Sequence, residues 1–146
     1  MKTVLSLGVI GAVAGLVLMA VLKLVLLLTG NTAYHLLFNF DYVPWINALK
    51  PVWLFGYVFH FVTCIISVIA LYYILKIWGF QQKIAPYIVV YTLGGGALYF
   101  LTGLSPQLPE VNDTMAWVYW TVAHGVFGIS VGGLVRLWRK NKRFSE

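Results

Sequence analysis

Charge is what this chain has least of. Of its 146 residues only 10 % are charged and four are acidic, while 61 % are hydrophobic and the mean hydropathy is +0.87. Soluble domains carry about a quarter charged residues, so composition excludes a soluble globular chain. Cys64 is the only cysteine, which excludes an internal disulfide, and its place inside an apolar run says nothing about redox compartment. Internal repeats, low-complexity tracts, phosphate-cradling glycine loops, cysteine pairs and serine nucleophile elbows are all missing from the sequence. With the usual enzyme signatures absent, the expectation is a protein that is not an enzyme.

What the chain does have is long apolar runs. A hydrocarbon core of about 30 Å takes about 20 apolar residues of helix, and runs of that kind cover about residues 4–28, 51–75, 85–103 and 115–135. The first, behind Lys2, superficially copies a secretory signal. It continues through Leu24, Val25, Leu26, Leu27 and Leu28 before reaching Gly30, longer than a signal's apolar stretch, and reads as a retained transmembrane helix. Pro51 and Pro86 stand at helix starts, where a missing amide costs little. The predicted fold is therefore all-α: a polytopic membrane protein with four transmembrane helices in a bundle, one domain over residues 1–146 with a basic tail over 136–146.

Five of the ten Lys and Arg residues fall in the last eleven positions, directly after an apolar run, which reads as a cytoplasmic membrane flank attracted to anionic lipid rather than a nucleic-acid surface. With both termini cytoplasmic, Lys2, Lys76, Lys83, Arg136, Arg139, Lys140, Lys142 and Arg143 lie inside and only Lys23 and Lys50 outside. Basic residues favour the cytoplasmic side, so this orientation is expected. Asp41, Glu110 and Asp113 then face outward. Trp45, Trp53, Trp117, Tyr119 and Trp120 make an outer aromatic belt, and Trp78 and Trp138 an inner one.

The two outer loops differ in kind. Residues 104–114 form a short polar turn whose prolines end one helix and whose Asp113 or Thr114 caps the next. The loop from Tyr34 to Trp45 holds seven aromatic or leucine side chains in twelve residues, so it is expected to lie on the headgroups or fold over the bundle mouth as a lid. His35, within it, reads as a solvated residue at headgroup level.

In lipid, helices associate through close packing and hydrogen bonds. Gly56, His60, Thr63, Cys64, Ser67 and Ala70 form one stripe on the second helix, and Thr121, His124, Gly125, Gly128 and Gly132 another on the fourth. The first helix offers Gly8, Gly11, Ala12 and Gly15, and the third Gly94, Gly95 and Gly96. His60 and His124 each lie nine residues inside an outward helix start, about 14 Å down and close to the midplane. The triple glycine falls at a similar depth. The candidate proton or solute seam is His60, His124, Cys64, Ser67 and Thr121, and the candidate packing residues are Gly94, Gly95, Gly96, Gly125 and Gly128.

Four readings of the histidines stay open. Each hydrogen-bonds a backbone carbonyl or a hydroxyl of Thr63, Ser67 or Thr121; or the pair lines a pathway for protons or a small solute, since ionisable groups inside a membrane are functional by default. Facing helices with glycines between them also suit bis-histidine haem ligation. A zinc site lacks a third and fourth ligand beyond Cys64. Lys23, about 8 Å from the outer end of its helix, is expected to snorkel to the headgroups rather than pair with Asp41 or Asp113.

The pattern resembles the YagU-like family of small bacterial inner-membrane proteins. The residues that carry the resemblance are Gly11, Gly15 and Lys23 on the first helix, His60 on the second, Gly103-Leu104-Ser105-Pro106 after the third, and His124 with the basic exit at Arg136 on the fourth. Trp120 stands where that family would have an acidic residue, and the first outer loop lacks its proline and arginine cluster. The resemblance implies the bacterial cytoplasmic membrane and a role in acid resistance. On this reading the histidines sense or carry protons under acid or envelope stress, and no metal and no obligate cofactor are expected. An accessory subunit docking a larger membrane complex, or a homo-oligomer, is the alternative from another class, and a haem-binding electron carrier the third; the lipid bilayer is a partner in each and nucleic acid in none.

Overall fold

The computed structural model of the chain describes residues 2–40, 53–106 and 109–143, with backbone alone at Trp53, Lys142 and Arg143. Expectations for Asp41, the loop residues 42–45, Lys50 and Pro51 lie outside the described residues. Helix α1 runs Lys2–Thr29, α2 Trp53–Ile77, α3 Ile84–Leu98 and α4 Thr114–Arg143, and two 3-10 helices cover Thr32–Phe38 and Tyr99–Leu104. No strand occurs among the described residues. Four helices are long and apolar enough to cross a membrane, Lys2–Thr29, Leu54–Ile77, Ile84–Leu104 and Thr114–Asn141.

The helix ends have local causes. Helix α2 closes with Gly79 at φ 72°, while Phe80 N donates to Leu75 O at 2.8 Å and Gly79 N to Lys76 O at 3.2 Å. That pair of bonds satisfies orphan carbonyls and needs a left-handed residue that glycine supplies without strain. Gly30, at φ 73°, ends α1 in a related way with its N–H on Leu26 O at 2.9 Å. At the start of α4 it is Asp113 rather than Thr114 that caps, its Oδ1 accepting from Ala116 N at 2.9 Å. The last helix continues through Arg136, Arg139 and Lys140 to Arg143. Lys and Arg are good helix formers, and their charge complements the negative end of the helix dipole.

Around the bundle the order is α2, α1, α4, α3. Glycines set the two closest seams. A Cβ on Gly11 would meet Ile65 Cα at 2.8 Å, and one on Gly128 would meet the Tyr87 carbonyl at 2.7 Å and Ile88 Cα at 2.8 Å. Gly125 faces Thr92 Oγ1 in the same α3–α4 seam. Close backbone approach is the main source of helix association in lipid. Leu7, Ala14, Leu22, Val68, Val131 and Val135 fill the interior, while Leu5, Leu16, Leu27, Ile66, Leu93, Val122 and Ile129 are exposed. Helices apolar on both their inner and outer faces suit a lipid surround.

The fourth side of the bundle stays open, because α2 and α3 hardly approach one another.

The first 3-10 helix folds over the mouth. Asn31 Oδ1 starts it by accepting from Ala33 N at 3.0 Å. Leu36, Leu37 and Phe40 are buried beneath it, His35 is exposed, and Phe38 seats against Gly56. Thus the described part of the loop packs on the bundle. Asn39 Nδ2 donates to Ser105 Oγ at 2.9 Å, and the Tyr99 hydroxyl donates to the Glu110 and Asp113 carbonyls at 2.8 and 3.1 Å, binding the two mouth segments together. The Lys23 side chain is exposed and its ammonium lies 4.9 Å from the Tyr34 ring centroid. Burial and the neighbouring Tyr57 phenol push the Tyr34 phenol above its ordinary range, so it stays neutral and offers the cation its ring face. Asp113 has other partners, since its Oδ2 accepts from Asn31 Nδ2 at 3.5 Å.

Candidate site: a cavity between the second and third helices

The open side holds a cavity of about 360 Å³. Helix α2 contributes Phe59, His60, Thr63, Cys64 and Ser67; α3 contributes Val90, Tyr91, Gly94, Gly95 and Leu98. Trp120, His124 and Phe127 of α4 form the back wall, and Leu36 and Leu37 of the mouth helix close the top. Four of the five residues expected in a seam, His60, His124, Cys64 and Ser67, therefore meet in one space. Thr121 does not. It turns toward Gly96, where a Cβ would stand 3.1 Å from Thr121 Oγ1, and that hydroxyl is buried without a hydrogen-bond partner.

Within that space the histidines are placed differently. His60 is 4 % exposed, and its Nε2 lies 3.2 Å from the Gly15 carbonyl of α1. A carbonyl only accepts, so Nε2 carries the proton. Cys64 Sγ lies 3.9 Å from both ring nitrogens, one turn along the same helix. Phe38 and Phe61 flank the ring at 6.3 and 5.1 Å between centroids. His60 is thereby a strut between α2 and α1, and Gly15 brings the helices close enough for it.

His124 bonds within its own helix, Nδ1 to the Trp120 carbonyl at 2.8 Å. The proton is then on Nδ1, and Nε2 keeps a lone pair on a residue that lines the cavity. A Cβ on Gly95 would collide with the His124 ring, so the imidazole fits only because α3 has no side chain there.

Trp120 is where sequence reasoning missed. Expected in the outer aromatic belt, it is 8 % exposed, stacks at 4.4 Å between centroids on His124, and donates Nε1–H to Gly95 O at 2.8 Å. Trp117 donates likewise to Gly96 O at 3.1 Å. These bonds fall where the α-helical ladder of α3 yields to 3-10 turns beyond Leu98, and an indole inside a bilayer needs an acceptor. Gly94, expected to pack a helix, has nothing within 4 Å of its Cβ position and faces the opening instead. Tyr91 and Thr102 also escaped notice. Both line the cavity, and both hydroxyls lack a hydrogen-bond partner. Tyr91 approaches Ser67, whose own proton goes to Cys64 O at 2.9 Å. An apolar run containing one tyrosine or threonine carries no signal of which way it turns.

With His60 Nε2 on Gly15 O and His124 Nδ1 on Trp120 O, the two imidazole lone pairs are at His60 Nδ1 and His124 Nε2. Among the described residues no three His, Cys, Asp or Glu side chains come together. A second, more open hollow of about 510 Å³ lies at the mouth among Thr29, Asn31, Glu110 and Asp113. Its Asn31 and Asp113 are already occupied as caps.

No protein family, curated protein or solved structure matches this chain. The resemblance to the YagU-like family rests on the short motifs that carry it.

Proposed function

We propose that this is a bacterial cytoplasmic-membrane protein with both termini inside, whose cavity binds a small molecule and whose His124 links occupancy to protons under acid stress. Its work is binding and sensing rather than catalysis. The observation that carries this reading is the free Nε2 of His124 beside a cavity, while its Nδ1 is held on the Trp120 carbonyl. An imidazole so fixed changes charge without changing place. Protonation converts Nε2 from acceptor to donor and puts a positive charge in an apolar wall, which alters what the cavity holds.

The test is acid survival of cells whose only copy carries His124→Gln. Glutamine keeps a hydrogen-bonding amide but gains no proton in the working range. Survival should fall to the level of the deletion strain while the protein still accumulates in the membrane. Survival equal to wild type would reject the proton-linked role.

A further inference from the structure

The geometry points to a neutral, lipid-soluble phenol or quinol as the ligand of this cavity, admitted sideways from the bilayer between α2 and α3. The inference rests on reading the cavity as a binding site and names what it takes.

Access comes first. Leu36 and Leu37 close the mouth, whereas Thr63 on α2 and Val90, Gly94 and Leu98 on α3 are exposed around the opening. That opening lies between two helices whose backbones stay apart. In a bilayer it faces hydrocarbon, which delivers apolar molecules and not ions. Among the described residues no charged side chain lines the cavity. An ionic headgroup would thus be desolvated without a partner, at a prohibitive cost. A helix from another protein, about 10 Å across, needs a groove open along the span, and the seated mouth helix blocks one end.

Chemistry narrows the class. Phe59, Tyr91, Trp120 and Phe127 supply aromatic walls, and Gly94 leaves a flat approach beside them. Flat rings stack in such a space. The lone pair left at His124 Nε2 asks for a hydroxyl donor. A hydroxylated ring with an apolar tail satisfies both demands. A volume of about 360 Å³ falls within the small-molecule range of about 300 to 1,000 Å³.

The probes are para-nonylphenol, its methyl ether, which keeps the shape but cannot donate, and dodecanol, which donates without a ring. Binding is followed by thermal unfolding of the full chain in lipid nanodiscs. The phenol should raise the wild-type Tm and bind roughly tenfold more tightly than the ether, the scale of one hydrogen bond to a buried acceptor. Gly94→Phe, which fills the opening from a position with nothing within 4 Å, should fold and lose the effect. Val90→Trp blocks the same rim one turn away. Phenol binding no tighter than that of the ether or of dodecanol, or undiminished in both blocked variants, would overturn the proposal.

Mass spectrometry of the lipid extract tells the source. An isoprenoid quinol or quinone enriched in the wild type over Gly94→Phe identifies a membrane quinol, and phenol binding without it identifies a freely diffusing phenol. If His124→Gln survives acid while the phenol still binds, the proton-linked role falls and this assignment stands. Acid-sensitive His124→Gln cells, with a wild-type protein that does not prefer the phenol, would keep the proton link and remove the phenol assignment.

Discussion

His124 lies against Gly95 so closely that a methyl group on that glycine would collide with its imidazole, while the neighbouring Gly94 has nothing within 4 Å of its Cβ position. Adjacent glycines on one helix thus serve opposite ends. One admits a ring between α3 and α4, and the other keeps the cavity mouth clear.

Gly95→Ala should cost about 1 to 3 kcal/mol, the range for overpacking a tight interior. Gly94→Ala should leave stability unchanged or raise it by up to about 1 kcal/mol through helix propensity. Denaturation in detergent, both variants side by side, checks the contrast. Equal costs would mean that the two glycines are not distinguished as described.

Replacement of the two histidines should separate them just as clearly. His60→Ala strands the Gly15 carbonyl and empties a buried site, so a loss of about 1 to 3 kcal/mol is expected. His124→Ala removes a bond within one helix turn and a ring that already borders the cavity, so its cost should be smaller than that of His60→Ala. Stability measured in the same detergent decides, and a larger loss at His124 would contradict the strut role of His60.

Much of this is legible in the sequence, and the remainder is hidden for identifiable reasons. Apolar run length marks the four spans, because a bilayer sets one length scale for every helix. The common depth of His60 and His124 follows from counting residues. Their difference does not, since it depends on which backbone carbonyl each nitrogen meets, Gly15 on another helix or Trp120 on its own. Trp120 reads as a belt residue because an indole near a helix end suits the interface and the interior equally until an acceptor such as Gly95 O is seen. The open side of the bundle depends on which helices avoid each other, and hydropathy is silent on that.

Trp120→Phe keeps an aromatic ring against His124 but loses the donor to Gly95 O together with the smaller half of the indole. Interhelical hydrogen bonds in membranes average about 0.6 kcal/mol, so a loss of at least that value is expected. Trp120→Ala should cost several times as much, because it also removes the ring packed on His124. If both variants lose the same amount, the indole's bulk contributes nothing there.

Cysteines introduced at Leu37 and Asn112, in a Cys64→Ala background, should label at very different rates with a water-soluble maleimide. Leu37 is 5 % exposed under the mouth helix, and Asn112 is exposed in the turn before α4. Fast labelling at both would show the mouth helix lifting away from the bundle. The same Asn112 site and a reporter fused at Glu146 should also fall on opposite sides of the membrane, with the fusion cytoplasmic, as the distribution of basic residues requires.

The central claim is that His60 is a strut and His124 the open, proton-responsive group, and nitrogen-15 spectra of the imidazoles test it most directly. In nanodiscs, with exposed His35 assigned by its replacement, His60 should appear as the Nε2–H tautomer and His124 as the Nδ1–H tautomer. On acidification, the His124 signals should move to the imidazolium position while His60 keeps its tautomer. Identical tautomers for the two rings, or a response confined to His60, would contradict the account.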